Sequence, residues 1–322
     1  MNYLLFDNPR QEYSFIAKLW GNKDLREVSS PYNRRKIIGW LQGVLTVLKH
    51  SHKDDTIICW FDFQAVLAYW LGLFTFHRRR IVCINLMLKD KDTLRNKLVG
   101  WLYKGALSSN KFKASVTSVE YGEWLNRRFS ASFHFYLIRD VFHEEYTLSE
   151  TVKKQPDTVF CGGNNGRDWL FMLKVAQRLP DVKFRFVMPA NLYESLKTEI
   201  PQNVAVHCNM PYTEFMREMC AATIVALPLD TIAPAGLIVL FQAAANNKPI
   251  IMTDTVTTRG YITSDRGVLL PNEERKWADC IQYQLAHPEI CSAKAENLRM
   301  FLSKSCNEQT FVNGIKQLIS SY

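Results

Sequence analysis

The sequence lacks the cysteine patterns that mark a disulfide-bonded scaffold or a metal site. Its 322 residues include eight cysteines, but these are spread singly, with no CxxC pair and no Cys/His spacing suited to metal ligands. Four of them lie in apolar runs such as those around Cys59 and Cys83. Such surroundings are typical of free, buried thiols in a reducing compartment. We therefore predict no disulfide framework and no bound metal.

Neither a leader segment nor a membrane-spanning run is predicted from the sequence. The chain begins with a short apolar run, Met1–Phe6, that reaches Asp7 without a basic n-region or a small-residue cleavage site. The most apolar stretch, Thr56–Phe76, contains Asp62 and Gln64. An aspartate inside a spanning helix costs on the order of 2.5–3.5 kcal/mol. We therefore predict a strand, a turn and a helix here, and a cytoplasmic protein.

Acidic residues are scarce in the first half of the chain. Residues 1–150 hold 22 Lys and Arg against 15 Asp and Glu, a net charge of +7, whereas the remainder carries only +2. No helix-turn-helix, zinc-finger or RNP pattern accompanies this charge, so no nucleic acid partner is predicted. We expect an anionic membrane surface as a partner and a peripheral location at the inner membrane face. A solvated basic face is the alternative. The basic residues stand beside aromatic and aliphatic ones, as in Arg34–Lys36, His77–Arg80 and the group Lys97, Trp101 and Lys104.

The composition excludes disordered and low-complexity classes and leaves room for two cores. Hydrophobic residues make up 47% of the chain and charged residues 22%. Short apolar strands alternate with helical segments in both halves, which is typical of parallel sheets covered on both faces. We predict an α/β fold with two Rossmann-like, doubly wound domains that face each other across a cleft.

A polar stretch sets the expected domain boundaries. His143–Asp157 has no apolar period and includes Lys153-Lys154-Gln155-Pro156. We expect an N-terminal domain at residues 1–145, a linker at 146–157, a C-terminal domain at 158–305 and a helix at 306–322 that packs back on the N-terminal domain.

The first of two small-residue loops in the second half is Gly162–Gly166. It follows a predicted strand, and Arg167 and Asp168 open the next helix. Small residues let backbone N–H groups approach an anion, the helix N-terminus adds its positive end, and arginine gives a forked contact. Asp168 is expected in the first helical turn, where it positions Arg167. The spacing is not GxGxxG, so no dinucleotide site is predicted, and a tight structural turn is the alternative role of the glycines.

The second loop, Asp230–Gly236, runs from a strand end into the largely apolar helix Leu237–Lys248. Gln242 is a polar residue more than one turn inside that helix, and packing is its alternative role. Two helix N-termini that follow two strands of one domain suit a pyrophosphate.

These motifs resemble those of GT-B fold glycosyltransferases, in particular the retaining family 4 enzymes of bacterial surface-polysaccharide synthesis. In that family a loop with glycines and an arginine follows the first strand of the second domain, as Gly162-Gly163 and Arg167 do here. A small-residue loop then leads to a helix and an apolar strand, as in Pro234-Ala235-Gly236 followed by Pro249-Ile250-Ile251. The resemblance covers roughly residues 158–271.

The resemblance implies a transferase that moves a sugar from a UDP- or GDP-sugar to a lipid-linked or glycan acceptor in polysaccharide, O-antigen or capsule synthesis. It implies retention, no metal and no cofactor beyond the nucleotide-sugar substrate. The first domain would be the acceptor side, and the second would hold the donor, with Gln242 on the ribose and Asn209–Pro211 at the base. The expected donor-binding residues are Gly162, Gly163, Arg167, Asn209, Met210, Pro211, Ala235, Gly236, Leu237, Ile238 and Gln242.

The sequence departs from that family at its paired glutamates. Gln242 stands at the second glutamate position, and the first falls near Pro234. This loss motivates a rival hypothesis, a non-catalytic GT-B partner or glycan-binding scaffold. An NAD-dependent or epimerase enzyme is disfavoured because GxGxxG is absent.

Polar residues that end predicted strands of the first half are the catalytic candidates. Asp7 and Asp62 are the carboxylates expected to act in catalysis, with capping or turn formation as their alternative role. Further candidates are Asn85, His77 and His134, whereas His207 is interpreted as a structural histidine.

Overall fold

Two parallel six-stranded sheets covered by helices organise the chain in this computed structural model. The structure describes residues 1–7, 14–21, 24–75, 79–88 and 93–322. Contacts divide the chain into two units: Met1–Val141 with Asn307–Tyr322, and Phe142–Cys306. The predicted α/β class with two Rossmann-like, doubly wound domains is therefore confirmed.

The first unit alternates strands and helices along the chain. Its strands are β1 (Asn2–Phe6), β2 (Leu25–Ser29), β3 (Thr56–Cys59), β4 (Arg80–Cys83), β5 (Phe112–Val116) and β6 (Tyr136–Leu137). Its helices before the second unit are α1 (Ser14–Trp20), α2 (Lys36–His50), α3 (Asp62–Leu73), α4 (Leu94–Leu107) and α5 (Val119–Phe129).

The second unit repeats the alternation and ends in helices. Its strands are β7 (Thr158–Gly162), β8 (Lys183–Met188), β9 (Val204–Cys208), β10 (Ile224–Leu227), β11 (Ile250–Thr253) and β12 (Val268–Leu270). Its helices are α6 (Trp169–Gln177), α7 (Ala190–Leu196), α8 (Tyr212–Ala221), α9 (Leu237–Ala245), α10 (Glu274–Ala286) and α11 (Pro288–Ser305). The last helix, α12 (Glu308–Ser320), belongs to the first unit.

Strand order in the second unit brings two loops together. The order is β12-β11-β10-β7-β8-β9, and the neighbouring strands pair in parallel. The chain runs from β7 outward to β9 and then returns to the other side of β7 with β10. This change of direction makes the carboxyl ends of β7 and β10 a topological switch point, where ligands of open α/β sheets bind.

Strand order in the first unit places its helices on two faces. The order is β2-β1-β3-β4-β5-β6. The chain moves one way from β1 to β2 and the opposite way from β2 through β6, so right-handed crossovers put α1 on one face and α2 to α5 on the other. In agreement, α1 packs against α12, and α3 packs against both α2 and α4. The ring centroids of Phe15 and Phe311 are 6.0 Å apart in the α1–α12 contact.

The apolar stretch tested for a membrane span forms β3 and α3, as predicted. Within the described ranges, none of the helices combines the length and hydrophobicity that crossing a bilayer needs. Two elements were not predicted, the short helix α1 and the edge strand β2. The latter, Leu25–Ser29, has no apolar run and no fully buried residue.

The segment expected as a linker lies along the second unit. The backbone N–H of Leu148 donates to Asn246 Oδ1 at 2.9 Å, and Asn246 Nδ2 donates to the Tyr146 carbonyl at 2.8 Å. Further on, Gln155 N donates to the Ala221 carbonyl at 2.9 Å. These bonds attach the segment to α8 and α9, so its backbone is ordered by the helices that it crosses.

Candidate functional site

Arg167 lies at the switch point of the second unit, in the turn between β7 and α6. Its side chain folds back onto that turn, where Nε donates to the Gly162 carbonyl at 2.8 Å and Nη1 to the Asn165 carbonyl at 3.3 Å. Its backbone forms an isolated antiparallel bridge to Leu229, directly after β10. Only 7% of the residue is exposed. The guanidinium is therefore held in place between the two loops.

Glycines from both predicted loops border this guanidinium. A Cβ atom added to Gly163 would lie 2.7 Å from Arg167 Nη2, and one added to Gly236 would lie 3.1 Å from Nη1. Both glycines have positive φ, +123° and +78°, values that L-residues with a side chain rarely adopt. The loops that the sequence identifies separately thus converge on one buried cation.

The charge of Arg167 is not neutralised by the described residues around it. Its hydrogen-bond acceptors are carbonyl oxygens, and Nη2 donates to no group of the described chain. Burial lowers the pKa of Arg167, and among the described residues the neighbouring Cys161 thiol opposes this shift without supplying a negative charge at neutral pH. Burying an uncompensated cation is costly. An anionic ligand would remove that cost.

The N-terminus of α9 adds amide donors beside the same cation. Gly236 is the N-cap and has no side chain to satisfy the first turn. The first N–H groups of a helix have no acceptor within the helix, and the helix dipole makes them favourable for an anion. At this end of the helix the side chain of Leu237 is buried, whereas Ile238 is 63% exposed. The first turn of α9 is therefore partly accessible to solvent. Ala235 packs against Gly166, at 2.9 Å from the position of an added Cβ.

Asp168 does not position Arg167, and that expectation is wrong. As the N-cap of α6, it accepts from Phe171 N at 3.1 Å through Oδ1. Its other oxygen accepts from Asn272 Nδ2 at 3.2 Å. Arg167 is instead oriented by the carbonyls of Gly162 and Asn165, because a carboxylate at the helix start is drawn to the free amides there.

Gln242 carries one of the unsatisfied buried polar atoms of this unit. The residue is 5% exposed on α9, and its Oε1 has no hydrogen-bond partner among the described residues. Its amide lies beside the Tyr212 hydroxyl. Burial raises the pKa of Tyr212, and the contact with Gln242 opposes the rise. A buried carbonyl oxygen without a donor is a place where a ligand hydroxyl is stabilising.

The residues expected at the base precede Tyr212 directly. Asn209 is exposed with φ +49°, Met210 is half-buried, and Pro211 is the N-cap of α8. They lead into the helix whose first residue, Tyr212, contacts Gln242. His207 lies in β9, the strand predicted for it, and its structural role stays an interpretation.

The two candidate carboxylates of the first unit follow strands β1 and β3. Asp7 accepts from Trp40 Nε1 at 2.8 Å. Asp62 begins α3, where it accepts from Phe63 N at 2.7 Å and from Met87 N at 3.0 Å. Burial raises the pKa of Asp62, and the hydrogen bonds, including one from Tyr103, oppose the rise. Both carboxylates thus have defined partners, and their catalytic role stays a prediction.

Sequence reasoning missed Asp140, which follows β6. Ser115 Oγ accepts from Asn85 N at 2.8 Å and donates to Asn85 Oδ1 at 3.0 Å, and Asn85 Nδ2 donates to Asp140 Oδ1 at 2.7 Å. Asn85 has φ +51°. Burial raises the pKa of Asp140 to about 6. His134 is exposed with its ring 4.7 Å from that of Tyr136, and His77 lies outside the described residues.

We expect Asp140→Asn to stabilise the protein above about pH 6 and not below about pH 4. The ordinary pKa of this carboxyl is 3.8 and the folded value about 6. The folded state therefore binds more protons between these values, and the wild-type free energy of unfolding falls as pH rises through them. Solvent screening reduces the gain of the variant to on the order of 2 kcal/mol. Chemical denaturation across this pH range measures it.

The matched control for that prediction is Asp279→Asn. Asp279 is 67% exposed on α10, so the same substitution should leave the pH profile of unfolding unchanged. A pH-independent difference between Asp140→Asn and the wild type would contradict the prediction.

The chain is similar to known proteins in structure but not detectably in sequence. No protein-family model matches it, and no curated protein sequence gives a significant match. Solved structures do match. HepE of Anabaena in complex with UDP has a TM-score of 0.72 and 14% sequence identity over 100% of both chains.

Two other matches have similar statistics. Sucrose-phosphate synthase from Thermosynechococcus elongatus has a TM-score of 0.73 and 12% identity over 99% of this chain and 98% of its own. WaaG, a glycosyltransferase involved in lipopolysaccharide biosynthesis, has a TM-score of 0.67 and 12% identity over 100% of both chains. Identities this low relate the folds alone. The protein therefore has the GT-B fold, as the resemblance implied.

Proposed function

We propose that this protein is a glycosyltransferase that takes a sugar from a nucleotide-diphosphate donor, a UDP- or GDP-sugar. One observation carries the proposal: the buried guanidinium of Arg167 lies between two glycine loops with no carboxylate partner in the described chain. A diphosphate supplies the missing negative charge. In support, HepE has been solved with UDP and with UDP-glucose, the latter at a TM-score of 0.72 and 15% identity.

The same groups suit the chemistry of sugar transfer. As the bond between the anomeric carbon and the diphosphate oxygen breaks, the electron pair and its negative charge move to the leaving diphosphate. Arg167 and the first amides of α9 are fixed donors for that charge, and such preorganised electrostatic stabilisation needs no metal. The acceptor hydroxyl loses its proton as its oxygen bonds to the sugar. Asp7 and Asp62 remain our proposed proton acceptors, and retention of configuration follows the family resemblance.

Gln242 supports a nucleoside beside the diphosphate. Its unpartnered Oε1 accepts from a ribose hydroxyl in this proposal, while Tyr212 holds its amide. Asn209, Met210 and Pro211 would then lie at the base. The amide provides the ribose contact without the charge that a glutamate would add, so the donor site keeps the positive balance set by Arg167.

The acceptor in this proposal is lipid-linked or a glycan of polysaccharide synthesis, and the protein works at the inner membrane face. The charge of +7 in residues 1–150 supports this location. The rival is a non-catalytic GT-B partner, favoured by Gln242 and Pro234 at the family's glutamate positions.

Calorimetric titration with UDP, GDP, uridine and UDP-glucose tests the donor site. We expect binding of a nucleoside diphosphate and much weaker binding of uridine, because the diphosphate neutralises Arg167. If none of the nucleotides binds, the proposal fails. Binding of UDP-glucose or GDP-glucose without transfer to any acceptor and without donor hydrolysis would favour the scaffold.

We expect Gln242→Met to weaken nucleotide binding without destabilising the free protein. The substitution removes a buried acceptor that has no partner, so unfolding should occur at the same or a higher temperature. Loss of one ribose hydrogen bond should reduce affinity by about fivefold to tenfold, near 1 kcal/mol. Differential scanning fluorimetry and calorimetric titration measure the two effects.

Gln284→Met provides a closely matched control. Gln284 lies on α10, is 4% exposed and also has a buried Oε1 without a partner in the described chain. Its substitution should change stability in the same way and leave nucleotide binding intact. Equal affinity in the two variants would remove Gln242 from the donor site.

A further inference from the structure

Two helices of the first unit expose apolar side chains in regular stripes. On α2, Ile37, Leu41 and Leu45 are 53%, 37% and 51% exposed. On α4, Leu94, Leu98 and Trp101 are 87%, 62% and 63% exposed. Spacings of three and four residues place each set on one side of its helix. Monomeric soluble proteins rarely expose apolar patches of this kind without a binding role.

Both stripes belong to helices that cover the same face of the sheet. The crossovers place α2 and α4 in one helical layer, and α3 packs between them. The buried side of α4 includes Tyr103 and Ala106, opposite to its exposed stripe, and that of α2 includes Val44 and Val47, on the flank of its stripe. The layer is rigid where α3 and α4 meet, since the rings of Trp70 and Trp101 stack with centroids 5.9 Å apart.

The charged residues within these two helices are all basic. Neither α2 nor α4 contains Asp or Glu. Lys97 and Lys104 are exposed on the side of α4 that carries Trp101, three or four residues away from it. Arg34, Arg35 and Lys36 are exposed at the start of α2, and Lys49 near its end. In the second unit, exposed apolar residues such as Ile290 and Met300 share helix α11 with acidic residues.

We propose that this outer face of α2 and α4 is a membrane-docking surface that inserts its apolar stripes between anionic lipid headgroups. Basic residues beside Leu and Trp match an anionic interface, where the cations contact headgroups and the apolar side chains leave water. A second copy of the chain fits less well, because two-fold self-association would set like charges against each other. The inference rests on the membrane location proposed above and is independent of the donor site.

The two described arginines of the basic segment His77–Arg80, Arg79 and Arg80, make contacts within the first unit. Arg79 is 5% exposed and donates to the Leu48 and Ser51 carbonyls at 2.7 and 2.8 Å, which caps the C-terminus of α2. The guanidinium of Arg80 lies 5.7 Å from the centre of the Tyr322 ring, and His77 and Arg78 lie outside the described residues. The docking surface is therefore built from α2 and α4, and Arg79 supports it from beneath.

Vesicle flotation of the full chain tests this surface, with phosphatidylcholine alone and phosphatidylcholine mixed with phosphatidylglycerol. The wild type should bind the anionic vesicles, and added salt should weaken the binding. Lys97→Gln with Lys104→Gln should weaken it about thirtyfold at low salt, since each lysine contributes about fivefold. Leu94→Gln with Leu98→Gln should weaken it at least tenfold and leave the remaining binding more salt-sensitive, because only the charge contribution is left.

Ile290→Gln with Met300→Gln, on exposed positions of the second unit, is the matched control and should bind vesicles like the wild type. The three pairs are exposed, so equal unfolding temperatures are expected and verify folding. The proposal is overturned if the wild type does not bind anionic vesicles at low salt. It is also overturned if the two double variants on α4 bind these vesicles as tightly as the control variant does. It is also overturned if light scattering shows a dimer that Leu94→Gln with Leu98→Gln dissociates. UDP should bind equally to the wild type and to all of these variants. If UDP bound to none of them, the proposed donor site would be wrong and the docking surface would be unaffected.

Discussion

Arg167→Ala is expected to reduce affinity for a nucleoside diphosphate by roughly a hundredfold while the protein stays folded. The substitution removes charge-assisted contacts worth about 3 kcal/mol from a buried position. The free protein loses two hydrogen bonds to carbonyls but also loses an uncompensated buried charge. These effects oppose each other, so the unfolding temperature should change little. Calorimetric titration with UDP and GDP measures the affinity.

Two further substitutions separate charge from geometry. Arg167→Lys keeps a cation without the planar fork, so it should recover only part of the lost affinity. Arg178→Ala removes an exposed arginine of the same region, whose Nη2 lies 2.8 Å from Glu274 Oε2. Donor affinity should be unchanged there, since surface ion pairs contribute little. If Arg167→Ala and Arg178→Ala bind UDP equally well, Arg167 does not hold the diphosphate.

The alternation of strands and helices could be predicted from the sequence, because burial of both faces of a parallel sheet makes its strands continuously apolar. β3 and β10, with four buried residues each, are examples. The edge strand β2 carries no such apolar run. Its extended structure depends on pairing with β1, which its own sequence does not indicate. The helix α1 has only seven residues, too few for a helical period to stand out.

The two loops of the candidate site could be identified from the sequence, but their arrangement could not. Glycines and helix starts marked both loops, and Arg167 marked the first, because close approach of backbone to an anion needs small residues. That Gly163 and Gly236 meet at Arg167 depends on β10 lying beside β7, a long-range pairing that no local pattern encodes. Asp140 was missed for the same reason. Its bond to Asn85 joins the ends of non-adjacent strands β4 and β6.

Gly163→Ala is expected to lower donor affinity by at least tenfold although every proposed ligand remains. The new Cβ would lie 2.7 Å from Arg167 Nη2, and φ +123° is unfavourable for alanine. The guanidinium is the end of a flexible side chain, so it gives way before the backbone does. The strain should cost about 1–3 kcal/mol of stability, and the displaced cation should bind a diphosphate poorly. Thermal unfolding and calorimetric titration measure both effects.

Gly21→Ala isolates the backbone part of that effect. Gly21 has φ +74°, and an added Cβ would meet nothing within 4 Å. It should lower stability by about 1–2 kcal/mol and leave donor affinity unchanged. A thermodynamic cycle completes the argument. If Gly163→Ala acts by displacing the guanidinium, it should cost little donor affinity in protein that already carries Arg167→Ala. Additive losses in the double variant would mean that Gly163 contacts the donor itself, independently of Arg167.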